Sequence, residues 1–121
     1  MATVDHYKDI AAKGLCSHTG SDESSYKDRI ERYAVWGGAI YEAIRYMGKP
    51  PKFQPVGSEN YESQFQTEAR RIVSEWLVDA GVAAKNNRKN LMSEAHREIS
   101  VVCGPHSKAG STFCVVLLLA A

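Results

Sequence analysis

The last nine residues of the chain, 113–121, form an uninterrupted apolar run. The run is too short to cross a bilayer as a helix, which takes about 20 residues. Because successive side chains of a strand point to opposite faces, a strand over residues 112–119 has two apolar faces and should be buried on both. Residues 99–103 predict a second strand, joined to the first by a turn region at 104–111 that is rich in Gly, Pro and Ser. We therefore expect a sheet with the C-terminal strand at its centre.

Earlier segments of the chain have helical patterns. Val4, Tyr7 and Ile10 recur at helical spacing and predict a helix over residues 4–13, which Gly14 ends. Ser25, followed three residues later by Asp28, predicts the capped start of a second helix. A longer helix is predicted over residues 61–79 and a short one near 88–93. The apolar stripe of the long helix consists of Phe65, Ala69, Ile72, Val73 and Trp76. These elements predict an α+β fold in which helices pack on both faces of a small antiparallel sheet.

Length, charge and cysteine usage restrict the classes of function. The 121 residues fit one domain spanning residues 1–121. The net charge of +1 offers no basic surface for nucleic acid, and no apolar run predicts a transmembrane helix. The first residues lack the basic and apolar regions of a signal peptide. Cys103 and Cys114 flank the turn region and predict a disulfide, which leaves Cys16 free and indicates an oxidising compartment.

Three polar residues lie where chemistry is expected. The predicted strand at 39–46 places Glu42 on a face otherwise formed by isoleucine and tyrosine, and such a local inconsistency is typical of functional sites. His18 lies in a loop of dense turn-forming residues between the first two helices. Asp79 lies one turn beyond Trp76, at the end of the long helix. A histidine and two carboxylates that converge can hold a divalent cation or exchange protons.

Several segments, in this order, resemble motifs of the CAP superfamily, which comprises cysteine-rich secretory proteins, antigen 5 and pathogenesis-related proteins. The similar segments are Ser17-His18-Thr19-Gly20-Ser21-Asp22, Tyr41-Glu42-Ala43, Glu75-Trp76-Leu77-Val78-Asp79, Asn86-Asn87-Arg88-Lys89-Asn90 and Cys103-Gly104-Pro105-His106. Two departures from the family pattern stand out. Asn87 occupies the place of the family's second cleft histidine, and the family's opening helix has no counterpart before Val4.

The resemblance implies an α-β-α sandwich and a cleft that gathers His18, Glu42, Asp79 and Asn87. It also implies an extracellular protein that binds a lipid, a sterol or a protein partner. His18 and Glu42 are the residues expected to hold a weakly bound divalent cation, zinc or calcium. Since asparagine is a poor zinc ligand, the resemblance favours a non-catalytic module over a metal-dependent, peptidase-like hydrolase.

The residues by themselves leave other interpretations open. His18 can simply stabilise its loop, Glu42 can pair with an arginine, and Asp79 can be a solvated helix end. A third functional interpretation is an intracellular scaffold that forms a homodimer through exposed apolar surface. The aromatic residues, among them Trp36, are predicted to be core. The loop at 48–60 is predicted to be mobile and to lie near the cleft mouth.

Overall fold

The computed structural model describes residues 1–47, 61–107 and 113–121. The elements, in chain order, are α1 (Ala2–Lys13), α2 (Tyr26–Glu31), β1 (Ile40–Met47), α3 (Tyr61–Val78), α4 (Asn86–Leu91), β2 (Glu98–Pro105) and β3 (Phe113–Ala120). The chain divides into two compact units, one made of Met1–Lys49 with Ser93–Ala121 and the other of Pro50–Met92. The predicted loop at 48–60 and residues 108–112 of the predicted turn region lie outside the described residues.

The first unit contains a three-stranded antiparallel sheet with the order β1-β3-β2. This order confirms that the C-terminal strand is central and that the fold class is α+β. The described side chains of β3, from residue 114 to residue 120, are all buried, with Val116 and Cys114 fully so. The apolar run therefore forms the middle of the core, as its two apolar faces require.

Glu42 lies on the sheet face against which α1 and α2 pack. Glu42 is opposite Leu118 on β3, and Gly104 of β2 is opposite Cys114 on the same face. Helix α1 packs against β2 and β3, and α2 packs against β1. A Cβ atom at Gly104 would lie 2.1 Å from the Tyr7 hydroxyl, so only glycine allows α1 this close an approach. The Tyr7 hydroxyl donates a hydrogen bond of 3.0 Å to the Pro105 carbonyl.

Helix α1 begins two residues earlier than predicted and ends as predicted at Gly14, which has a left-handed φ of 65°. Its buried residues are Thr3, His6 and Ile10. Of the predicted stripe, Ile10 is confirmed as buried, whereas Val4 and Tyr7 are only half-buried. The buried face of α1 is rotated relative to the predicted face because the helix places a histidine, rather than an aliphatic residue, over the polar side chain of Glu42.

The predicted capping box of α2 is confirmed. The Ser25 hydroxyl accepts a bond from the Asp28 backbone N–H, and the Asp28 carboxylate accepts one from the Ser25 backbone N–H. Arg29 and Ile30 are the buried residues of this helix. Tyr33 lies beyond the end of α2 and is exposed, and its hydroxyl donates to the carboxylate of Asp5.

The second unit contains α3 packed against α4. Ile72 and Trp76 of the predicted stripe are buried, whereas Val73 is exposed. Helix α3 ends at Val78, and the next residue, Asp79, has a left-handed φ of 51°. Within the described part of the chain, no helix combines the length and apolar character needed to cross a membrane.

The predicted Cys103–Cys114 disulfide is not formed, and all three cysteines are free thiols. The register explains why. Cys103 is opposite Val115 and Gly104 is opposite Cys114, so the two cysteines are offset by one residue. Since a one-residue offset places side chains on opposite faces of a sheet, the two thiols point away from each other. Burial raises the pKa of the Cys114 thiol to about 11, whereas Cys16 and Cys103 are exposed.

Candidate functional site

Glu42 is the centre of a buried polar cluster in the first unit. Its side chain is almost fully buried on β1, where an isolated carboxylate would be strongly unfavourable. Each carboxylate oxygen has a close partner: Oε1 lies 2.9 Å from His18 Nδ1, and Oε2 accepts a bond of 2.8 Å from Arg29 Nη2. The carboxylate is therefore satisfied by one imidazole and one guanidinium.

Arg29 connects α2, the histidine loop and β1. Its guanidinium is buried and donates from Nη1 to the Ser24 carbonyl at 2.8 Å and from Nη2 to the His18 carbonyl at 3.1 Å. A single side chain thus neutralises Glu42 and fixes both ends of the loop that carries His18. The interpretation of Glu42 as the partner of an arginine, left open by the sequence, is confirmed.

The loop presents His18 at the surface of this cluster. Its side chain is 58% exposed, while Glu42 beneath it is buried. The loop is closed by a bond from the Gly20 backbone N–H to the Ser24 carbonyl at 2.8 Å, and the Asp22 carboxylate accepts from the Ser24 backbone N–H at 3.1 Å. These local bonds hold an imidazole that is open to solvent on one side and anchored to a carboxylate on the other.

His6 is a member of the cluster that the sequence did not reveal. Its side chain is fully buried in α1, and Nε2 lies 3.0 Å from the Ser17 carbonyl and 3.6 Å from Glu42 Oε1. Because a carbonyl only accepts, Nε2 carries the proton and Nδ1 is left as a lone pair, which has no hydrogen-bond partner. The recurrence of Thr3, His6 and Ile10 at spacings of three and four residues was the available sequence signal.

Burial lowers the pKa of His6 from its ordinary value of 6.5, with the nearby Arg29 acting in the same direction and Glu42 opposing it. The folded protein therefore binds fewer protons at this site than the unfolded chain does. The free energy of unfolding should fall as the pH drops through 6.5 towards the folded pKa. His6→Gln keeps an N–H donor for the Ser17 carbonyl and removes this titration.

Urea unfolding between about pH 5 and pH 8 should give a steeper loss of stability towards acid for the wild type than for His6→Gln. All other titrating groups are common to the two proteins, so their contributions cancel when the two unfolding free energies are subtracted at each pH. Parallel stability curves would contradict the assignment of His6 as a buried neutral imidazole.

Asp79 and Asn87 form a second polar pair, within the other unit. The Asp79 carboxylate accepts bonds from the Asn87 side-chain amide at 2.7 Å and from the Asn87 backbone N–H at 2.9 Å. The hydrogen bond from the Asn87 side chain lowers the pKa of Asp79, which is also close to Lys85. Asp79 therefore caps the start of α4 rather than being a solvated helix end.

The four predicted cleft residues thus fall into two pairs, His18 with Glu42 and Asp79 with Asn87. Each pair is in hydrogen-bond contact and each lies in its own unit. The convergence of both pairs in one cleft stays a prediction.

The predicted divalent cation fits this donor set poorly. Among residues 1–47, 61–107 and 113–121, no group of three or more His, Cys, Asp and Glu side chains is arranged to hold a metal ion. The carboxylate of Glu42 is already paired with the Arg29 guanidinium at 2.8 Å, and a positive charge at this distance repels a cation. The binding of a cation by His18 and Glu42 stays a prediction.

An apolar groove lies elsewhere in the first unit, between the start of α1, the segment after α2 and the end of the sheet. Its volume is about 400 Å³. The lining residues are Met1, Ala2, Thr3, Ile30, Tyr33, Ala34, Trp36, Glu98, Ile99, Ser100, Leu118 and Ala120. Trp36, which the sequence assigned to the core, is thus a wall of this groove.

Three buried polar atoms in the groove wall have no hydrogen-bond partner: Thr3 Oγ1, Trp36 Nε1 and Ser100 Oγ. Unpaired buried polar groups are rare in folded proteins, and each is unfavourable by about 1–3 kcal/mol. All three atoms are inaccessible to solvent, so a ligand's polar group reaches them only when the wall moves. The groove thus has mostly apolar walls above unpaired polar atoms, and apolar walls with a few polar groups are typical of small-molecule sites.

Comparison of the chain with protein-family models, with curated proteins and with solved structures finds no match in any of the three. The resemblance of the sequence motifs to the CAP superfamily accordingly stays a prediction.

Proposed function

We propose that this chain is a non-catalytic, CAP-like binding module whose groove takes an apolar molecule bearing one neutral hydroxyl group, such as a sterol. The proposal includes the extracellular location of the family and its α-β-α sandwich, with helices over both faces of the sheet. Its main support is a groove of about 400 Å³ with a mostly apolar lining, beneath which polar atoms of Thr3, Trp36 and Ser100 have no partners.

The chemistry of the lining favours an alcohol over a fatty acid. The indole N–H of Trp36 only donates, and the hydroxyls of Thr3 and Ser100 donate or accept, so each of them suits a hydroxyl of a ligand that opens the wall. Glu98 adds a carboxylate to the wall. A ligand carboxylate near Glu98 would be repelled, whereas a neutral hydroxyl would not.

The cluster around Glu42 supports a structural role more than a hydrolytic one. A hydrolase needs a base or a metal-bound water with access to substrate. Here the Glu42 carboxylate is buried and paired with Arg29, and His6 is fully buried. His18 is exposed, but among the described residues no group of side chains beside it is arranged to hold a metal-bound water. The contacts around Glu42 hold α1, α2 and β1 together and so support the walls of the groove.

Energy transfer from tryptophan to dehydroergosterol, a fluorescent sterol, tests the proposal. The wild type should show saturable transfer, and Ala34→Arg should weaken binding at least tenfold because it places a charge in an apolar groove. Val35→Arg is the matched control, since Val35 is the next residue, is fully exposed and does not line the groove.

The single hydrogen bond from the indole can be tested separately. Trp36→Phe keeps an aromatic ring and removes the N–H donor, and it should weaken sterol binding about tenfold, which corresponds to about 1.4 kcal/mol. Because this variant lacks one emitter, its affinity is measured by calorimetry. If cis-parinaric acid binds saturably and the sterol does not, the ligand of the groove is a fatty acid rather than an alcohol. If neither molecule binds, the lipid proposal is refuted.

A further inference from the structure

The outer edge of the sheet at β2 has an unusual distribution of side chains. Within the described part of the chain, β2 pairs with β3 only, so its other edge has no strand partner. Exposure alternates along β2, and the exposed face carries Ile99, Val101 and Cys103. Ile99 is 64% exposed and Val101 is 55% exposed. In a sheet with one solvated face, these positions would normally be polar.

The middle of β2 carries neither of the two sequence devices that commonly prevent strand pairing, charge and proline. Residues 99–104 contain no charged side chain and no proline. Natural edge strands are usually protected by charges, prolines, bulges or a covering element. In β2 such residues occur only at the two ends of the stretch, as Glu98 and Pro105. They limit the length over which another strand can pair, and so they define a register.

We propose that β2 is a homodimer interface, in which the β2 strands of two copies pair antiparallel about a two-fold axis at Val101. This register places Val101 opposite its counterpart and Ile99 of one copy opposite Cys103 of the other. The six exposed apolar side chains then form one continuous stripe across a six-stranded sheet. The interface is isologous, as closed two-fold dimers require.

The partner strand is assigned to a second copy of the chain because β2 is complementary to itself. The stretch has the same pattern when it is read from either end: an apolar residue, an inward residue, Val101, an inward residue and an apolar residue. Reversal places each Glu98 opposite Gly104 of the other copy, so the two carboxylates lie at opposite ends and do not repel each other. Antiparallel pairing of opposed apolar side chains contributes to stability at every position.

Sedimentation velocity over a wide concentration range tests the interface. The wild type should shift from monomer to dimer as concentration rises, and Val101→Lys should remain monomeric at every concentration. Val35→Lys is the matched control, because Val35 is equally apolar and fully exposed but lies outside β2. Circular dichroism should show that Val101→Lys is folded, since its side chain projects from an exposed position.

Cysteine cross-linking tests the register independently. Opposed Cβ atoms in an antiparallel pair lie about 4.5–5.5 Å apart, close to the range that a disulfide bridges. In a Cys16→Ser, Cys103→Ser background, Val101→Cys should give a covalent dimer with oxidised glutathione, and Val35→Cys should not.

A wild type that stays monomeric at all concentrations, or a dimer that persists in Val101→Lys, would overturn the proposal. Glu98, Ile99 and Ser100 belong both to the paired stretch and to the groove wall, whereas Val101 does not line the groove. Sterol binding by the monomeric Val101→Lys variant therefore tests the proposed function without the dimer.

Discussion

Glu42→Gln should lower the free energy of unfolding by about 3–5 kcal/mol, because it leaves the buried guanidinium of Arg29 without a counter-charge. Arg29 and Glu42 are both almost completely buried and are joined at 2.8 Å. In such a pair the removal of one partner is far more costly than the removal of both. The double variant Arg29→Met, Glu42→Leu should therefore be more stable than Glu42→Gln, even though it removes more polar contacts.

Urea denaturation provides the measurement, and Glu31→Gln provides the matched control. Glu31 lies in α2, the helix that carries Arg29, and is also in an ion pair, with Lys27 at 3.8 Å, but both side chains are largely exposed. An exposed pair of this kind contributes about 0–1 kcal/mol to stability, so Glu31→Gln should change the free energy of unfolding very little. Equal effects of the two glutamine substitutions would show that the cluster around Glu42 does not stabilise the fold.

Ile10→Ala should destabilise the protein by about 2–5 kcal/mol, the range for removing a fully buried aliphatic side chain. Ile10 has no exposed surface and lies on the same face of α1 as His6, one turn further along the helix. Its loss leaves a cavity between α1 and the rest of the first unit. Because Thr3, at the start of the same helix, lines the apolar groove, sterol affinity should fall together with stability.

Thermal unfolding distinguishes this cavity effect from a general sensitivity to substitution. Ile10→Val removes one methylene group and should cost about 0.5–1.5 kcal/mol. Val35→Ala, at a fully exposed position, should leave the melting temperature unchanged. If Ile10→Ala unfolds at the temperature of the wild type, α1 is not an integral part of the core and His6 is not held as described.

The polar clusters show how far local sequence reasoning reaches. The sequence singled out Glu42 as a carboxylate on an apolar face, and its burial agrees with that. It did not identify His6 or Arg29, whose partner is Glu42, because each lies in a different element. These contacts join residues 36 and 13 positions apart, and they depend on how helices dock, which short-range periodicity does not encode.

Three features of this protein were determined by sequence alone, because each depends on neighbouring residues. They are the capping box at Ser25, the left-handed end of α1 at Gly14 and the central position of the apolar strand β3. Caps and turns use hydrogen bonds within a few residues, and a strand with two apolar faces has no stable place except the middle of a sheet.

Tertiary structure alone decided the strand register, the rotation of α1 and the exposure of β2. A shift of one residue in strand pairing reverses the face of every side chain, and this is why Cys103 and Cys114 do not meet although they flank one turn region. The alternation of side chains between the two faces of the sheet also leaves Ile99 and Val101 exposed on the edge strand. Register is set by the packing of the whole sheet against α1 and α2, and that packing is a property of the folded chain rather than of any single segment.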